Sequence, residues 1–160
     1  IGWELKVEGG KVLDSRRDQS SLVPTARNTF TKRIMCGKEA GDDKTKKVVL
    51  TVLQSRNPAQ RDYVDKNRGD YGNSVQLAQV RFYTDDGTQV YVNKVSNPNG
   101  RPPLFKEAAE NLLKPDDSKW IDMAFKQNGS RSTLEFEMAA DDVDSITSFD
   151  MKTANDASKL

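Results

Sequence analysis

Residues 74–95 read SVQLAQVRFYTDDGTQVYVNKV, and this stretch decides the fold. Residues 75–83 are apolar and aromatic with the two-residue alternation of a β-strand. The phase slips near Ala78, where one extra residue predicts a bulge. Asp85-Asp86-Gly87 is a strong turn signal, because Gly accepts the positive φ that tight turns require. Residues 89–95 then read as the partner strand.

The same grammar extends outward. Trp3, Leu5 and Val7 alternate with charged residues, Gly9-Gly10 turns the chain, and residues 11–13 return. Residues 29–34 are β-rich, and residues 48–53 form an apolar run that predicts a strand buried on both faces. Residues 120–125 and 145–153 read as strands, and Leu134, Phe136 and Met138 alternate with Glu135 and Glu137. One helical signal spans residues 106–113, and Pro115 stops it. Residues 37–47, 57–73 and 96–103 read as loops. Many short strands with little helix predict an all-β fold.

Composition narrows the function classes. With 160 residues the chain suits one domain. A formal net charge of +1 argues against nucleic acid as a bulk electrostatic partner. No apolar run approaches the roughly 20 residues of a membrane-crossing helix. The sequence contains 0 His, which removes the commonest general base and transition-metal ligand. Cys36 is the single cysteine, so an intrachain disulfide is impossible and the bland reading is a buried thiol. There is no nucleophile elbow, P-loop or dinucleotide fingerprint. The acidic pairs Asp42-Asp43, Asp116-Asp117 and Asp141-Asp142 are ordinary loop features, and catalysis is not expected. Residues 27–68 carry eleven Lys/Arg against five Asp/Glu, whereas residues 135–150 carry six acids and no base. Solvated sandwich faces explain this, and a polar docking surface is the functional alternative.

Three stretches resemble a known family. SVQLAQVRFYTDDGTQV, NPNGRPPLFKEAAENLLKPDDSKWIDMAF and STLEFEMAADDVDSITSFDMKTAND occur in this order across residues 74–156. They resemble the galactose-binding-like (discoidin, or coagulation-factor type C-like) domains. Members carry an Asn-Pro-Gly loop, an E-x-x-x-N-L segment, a K-W-hydrophobic-D loop and a strand ending in T-A-N-D. The opening IGWELKVEGGKVLDSRRDQSSLVPTARNTF resembles the part that follows T-A-N-D in members, lacking only an Asp-Pro. The resemblance therefore implies one domain over residues 1–160 in circularly permuted order, residues 1–36 matching the family's C-terminal part and 45–160 its N-terminal part. A start at Ile1 rather than Met fits a unit released from a polyprotein; a fragment of a tandem array is the alternative. On this reading residues 145–153 and 2–8 form neighbouring antiparallel strands, and Ile1 lies within ~15 Å of Leu160.

The resemblance implies a jelly-roll β-sandwich of about eight antiparallel strands with one short helix. It also marks candidate residues. Trp3 and Trp120 are expected in the core. Arg27 is expected in a structural ion pair, and Asn155 and Asp156 in a turn cap. Members often bind calcium in the loop matched by residues 111–120, where Asp116, Asp117 and Ser118 are the available ligands. The usual Asp-Gly of that loop is replaced by Lys114-Pro115. Fucose-binding relatives use a His that this chain lacks. Arg61, Tyr63, Arg68, Tyr71 and Arg101 lie in loops and are the candidates for ligand or partner contact.

Two functions follow as expectations, and both are non-catalytic. One is a protein-docking or structural subunit of a larger assembly, peripheral to a membrane complex such as a photosystem. The other is a lectin-like, calcium-assisted carbohydrate-binding module. The compartment stays open, with a plastid and a secretory or extracellular location both compatible with these readings.

Overall fold

A computed structural model describes residues 2–8, 12–17, 29–31, 33–36, 45–54, 74–103 and 105–154. Among them the chain forms strands β1 (Gly2–Val7), β2 (Val12–Arg16), β3 (Ile34–Met35), β4 (Thr45–Gln54), β5 (Val75–Leu77), β6 (Gln79–Tyr83), β7 (Lys94–Ser96), β8 (Trp120–Asp122), β9 (Ser132–Ala139) and β10 (Ser148–Lys152). One α-helix, α1 (Ala140–Ser145), joins β9 to β10. The five-stranded sheet has the order β2-β1-β4-β9-β7, the three-stranded sheet β3-β10-β6, and β5 pairs with β8. Every pairing is antiparallel. The fold is an all-β sandwich.

Alternation along the strands places the core. In β9, Ser132, Leu134, Phe136 and Met138 are buried, while Thr133, Glu135 and Glu137 face outward. Phe136 of β9 meets Phe82 of β6 edge to face at 5.1 Å, so the five- and three-stranded sheets pack face to face. Trp3, Leu5, Val48, Leu50, Trp120 and Phe149 complete the buried layer, as expected for both tryptophans. The run 48–53 is buried on one face only: Val48, Leu50 and Val52 point inward, and Val49, Thr51 and Leu53 are half-buried.

Ala78 marks a change of sheet rather than a bulge. β5 before it pairs with β8, and β6 after it pairs with β10. Ala78 itself is buried, and its N–H donates to the Lys152 carbonyl at 2.9 Å. The turn at 84–88 forms as read, with Gly87 at φ 87. Its partner segment does not stay in the hairpin. Val90 N–H donates to Phe82 O, and Asn93 N–H then donates to Glu137 O in the other sheet. The chain thus crosses the sandwich before β7 begins.

The helical signal at 106–113 becomes two short 3-10 segments, Phe105–Glu107 and Ala109–Leu113. The α-helix lies instead at Ala140–Ser145, within a stretch expected to be a loop, with Asp141 and Asp142 in its first turn, where carboxylates favour the helix dipole. The expected strand at 120–125 ends at Asp122 and gives way to turns. The expected pairing of the first and last strands is overturned. β1 lies between β2 and β4, and β10 lies between β3 and β6 in the opposite sheet. Ile1, Leu160, Arg27, Asn155 and Asp156 lie outside the described residues.

Candidate binding surfaces

One end of the sandwich is built by loops that buried side chains hold in place. Asp122, fully buried at the end of β8, accepts from the backbone N–H of Arg101 at 2.9 Å and of Ala124 at 2.8 Å through Oδ1. Its Oδ2 accepts from the Ser132 hydroxyl. One carboxylate thereby joins the 97–103 loop, the turn after β8 and the start of β9. Three donors offset the cost of keeping a charge out of water.

Asn97 does the same for the neighbouring loop. Its Nδ2 donates to Thr133 O at 2.7 Å, and its Oδ1 accepts from Trp120 Nε1 at 3.3 Å. Pro98 and Asn99 make the turn, with Asn99 at φ 61 and Gly100 N–H donating to Asn97 O at 3.1 Å. Gly100 is required by packing: a Cβ there would lie 1.6 Å from Asn97 Oδ1. Asn111, also buried, donates from Nδ2 to Lys119 O at 2.7 Å and to Lys106 O. These residues lie in the stretches that resemble the segments Asn-Pro-Gly, E-x-x-x-N-L and K-W-hydrophobic-D. The sequence reading used them as family markers and missed their shared role of tying loop backbones to the core. Of the three, only Asn97 stands beside a turn residue, Pro98, so the local sequence marked that one and not Asn111 or Asp122.

The candidate cation loop sits beside this end. Asp116 Oδ1 accepts from Ser118 N–H at 2.7 Å, and the Ser118 hydrogen bonds, with Lys114 and Lys152 nearby, hold its carboxyl below the usual range. Asp117 pairs with Lys152 at 3.2 Å, and Lys114 Nζ donates to Asn111 Oδ1 at 2.7 Å. Lys152 thus engages one of the three candidate cation residues, Asp117, while Lys114 engages Asn111, which is not one of them. Among the described residues no group of three or more acidic, His or Cys side chains converges on one point. Arg101 is described and exposed, its backbone pinned at both sides by Asp122 and by Met123 N–H. Arg61, Tyr63, Arg68 and Tyr71 lie outside the described residues.

A second cluster covers the outer face of the three-stranded sheet. Arg81 forms a fork with Asp150, Nε to Oδ1 at 2.9 Å and Nη2 to Oδ2 at 2.7 Å. Tyr83 O–H donates to the same Oδ2 at 3.0 Å. Burial, then the Asp150 carboxylate, pushes the Tyr83 phenol up. The Arg81 guanidinium lies 3.5 Å from the Phe30 ring centroid, and that of Arg33 lies 4.0 Å from the Tyr83 centroid. Cys36 is half-buried nearby along the chain, and its thiol is pushed up to about 12 by burial and the Asp14 carboxylate against an opposing Arg16. That thiol stays protonated and unreactive at neutral pH.

No protein-family model, curated protein or solved structure matches this chain. Among the described residues no helix is long and apolar enough to cross a membrane.

Proposed function

We propose that this chain is a non-catalytic binding module acting as a protein-docking or structural subunit of a larger assembly. The observation that carries the reading is the loop end fastened by Asn97, Asn111 and Asp122. Loops ordered before contact spend less conformational entropy on binding, which suits a docking surface. The motif order of residues 74–156 supports a galactose-binding-like jelly roll, whereas the placement of β1 and β10 in opposite sheets removes the severed hairpin on which the permuted arrangement rested. A peripheral accessory subunit of a membrane complex, such as a photosystem, is the concrete form.

The second reading is a lectin-like module. Arg101, exposed on a backbone pinned by Asp122 and Met123, favours it, because planar polar side chains suit sugar hydroxyls. Calcium at Asp116, Asp117 and Ser118 belongs to this alternative.

Structure determination of the native chain with its co-purifying partners, together with a glycan array run with calcium and with chelator, tests both. A protein contact burying more than ~1,000 Å² and no glycan signal are expected. Calcium-dependent glycan binding lost in Arg101→Gln would replace docking with the lectin reading.

A further inference from the structure

The sequence has two Asn-Gly pairs, Asn99-Gly100 and Asn128-Gly129. The fold brings them together. Asn128 Nδ2 donates to Asn99 O at 2.9 Å and ties the turn after β8 to the 97–103 loop. Asparagine is chemically labile, and a following glycine, with no Cβ, lets its amide nitrogen approach the Asn side chain. The two pairs share this chemistry and differ in their surroundings.

Gly100 is hemmed in. A Cβ there would lie 1.6 Å from Asn97 Oδ1, and Gly100 N–H donates to Asn97 O at 3.1 Å. Asn97 is in turn held by Thr133 O at 2.7 Å and Trp120 Nε1 at 3.3 Å. Swinging the Gly100 nitrogen onto Asn99 Cγ would disturb this fastened turn. Gly129 is open. It is exposed, at φ 69, and among the described residues nothing lies within 4 Å of where a Cβ would stand. Its N–H donates to Lys126 O at 3.1 Å, and Asn128 is exposed as well. Exposed hydrogen bonds exchange with water at little net cost, so neither bond locks the pair.

We propose that Asn128-Gly129 is a site of spontaneous deamidation in the folded chain, and that its conversion loosens the 97–103 loop. Hydroxide removes the Gly129 N–H proton, and the nitrogen attacks Asn128 Cγ to form an N–Cγ bond. The Cγ–Nδ2 bond breaks, and ammonia leaves with a proton returned by water. Water then opens the cyclic imide at either carbonyl, giving aspartate or isoaspartate. Either product exchanges the amide donor for a carboxylate, which cannot donate to the Asn99 carbonyl, so the tie between the two loops is lost.

The test ages the full chain at mildly alkaline pH, folded and in urea, and maps it with trypsin. Lys106 and Lys126 lie between the two sites, so each falls on its own peptide. In the folded chain Asn128 is expected to convert at least about tenfold faster than Asn99, the two rates converging in urea. Asn128→Asp is expected to speed amide exchange at Gly100 several-fold and to leave exchange in β4 unchanged. Equal folded rates at the two sites, or conversion at Asn99 first, would overturn the inference. So would a folded chain in which Asn128 stays intact while the unfolded chain converts. Gly100 exchange unchanged by Asn128→Asp would overturn the loosening. None of these outcomes decides what docks at this end, which the native assembly tests.

Discussion

Trp3 and Phe149 meet edge to face, with ring centroids 6.4 Å apart at an interplanar angle of 84°. They come from β1 and β10, strands of opposite sheets. The first and last described strands are therefore partners through the core and not through a hydrogen-bonded ladder.

Gly100→Ala will destabilise the fold. The added Cβ would sit 1.6 Å from Asn97 Oδ1, so the amide must leave Trp120 Nε1 and Thr133 O. Leaving buried groups unpaired costs about 2 kcal/mol. Urea unfolding followed by tryptophan fluorescence measures this; an unchanged midpoint would remove Asn97 from its structural role.

Asp122→Ala will cost about 3 kcal/mol, because the N–H groups of Arg101 and Ala124 and the hydroxyl of Ser132 lose a charged acceptor. Amide exchange at Arg101 and Ala124 is expected to speed up more than exchange in β4. Uniform acceleration would indicate a global rather than a loop effect.

Arg81→Met will destabilise by about 3 kcal/mol, since Asp150 is buried and would keep an uncompensated charge. The double variant Arg81→Met with Asp150→Leu should recover most of the loss. A thermodynamic cycle in chemical denaturation reads the difference, and simple additivity would contradict the pairing.

Cys36 gives a pH dependence with a definite sign. Its ordinary value of 9.0 is pushed up to about 12 in the fold. Above pH 9 the unfolded chain loses this proton while the folded chain keeps it, so stability falls as pH rises from about 9 to about 12. The contribution is fully present below pH 9. Cys36→Ala should show a shallower decline over this range than wild type. Native Cys36 should also react with iodoacetamide at pH 8 at least ~100-fold more slowly than the urea-unfolded chain. Equal rates would place the thiol outside the shielding seen.

Strand character was legible along much of the chain because alternation is a local consequence of the pleat. The steps 134–136–138 and 3–5–7 state which face is apolar before any partner is known. The turn at Asp85-Asp86-Gly87 was legible for the same reason, since a positive φ is a property of one residue. The candidate cation residues were legible as types, yet the pairing of Asp117 with Lys152 was not, because it joins a loop to a strand 35 residues further along the chain. The Arg81–Asp150 fork spans 69 residues of sequence, beyond any local pattern.

Sequence alone determined that this chain is built of antiparallel strands with two core tryptophans and no histidine chemistry, since periodicity and composition act residue by residue. Tertiary structure alone decided which sheet each strand joined, that Ala78 is a crossing point, and that Asn97, Asn111 and Asp122 fasten one end. Those outcomes depend on which buried donors and rings meet across the sandwich, and the energy of such meetings belongs to pairs of residues far apart in the chain.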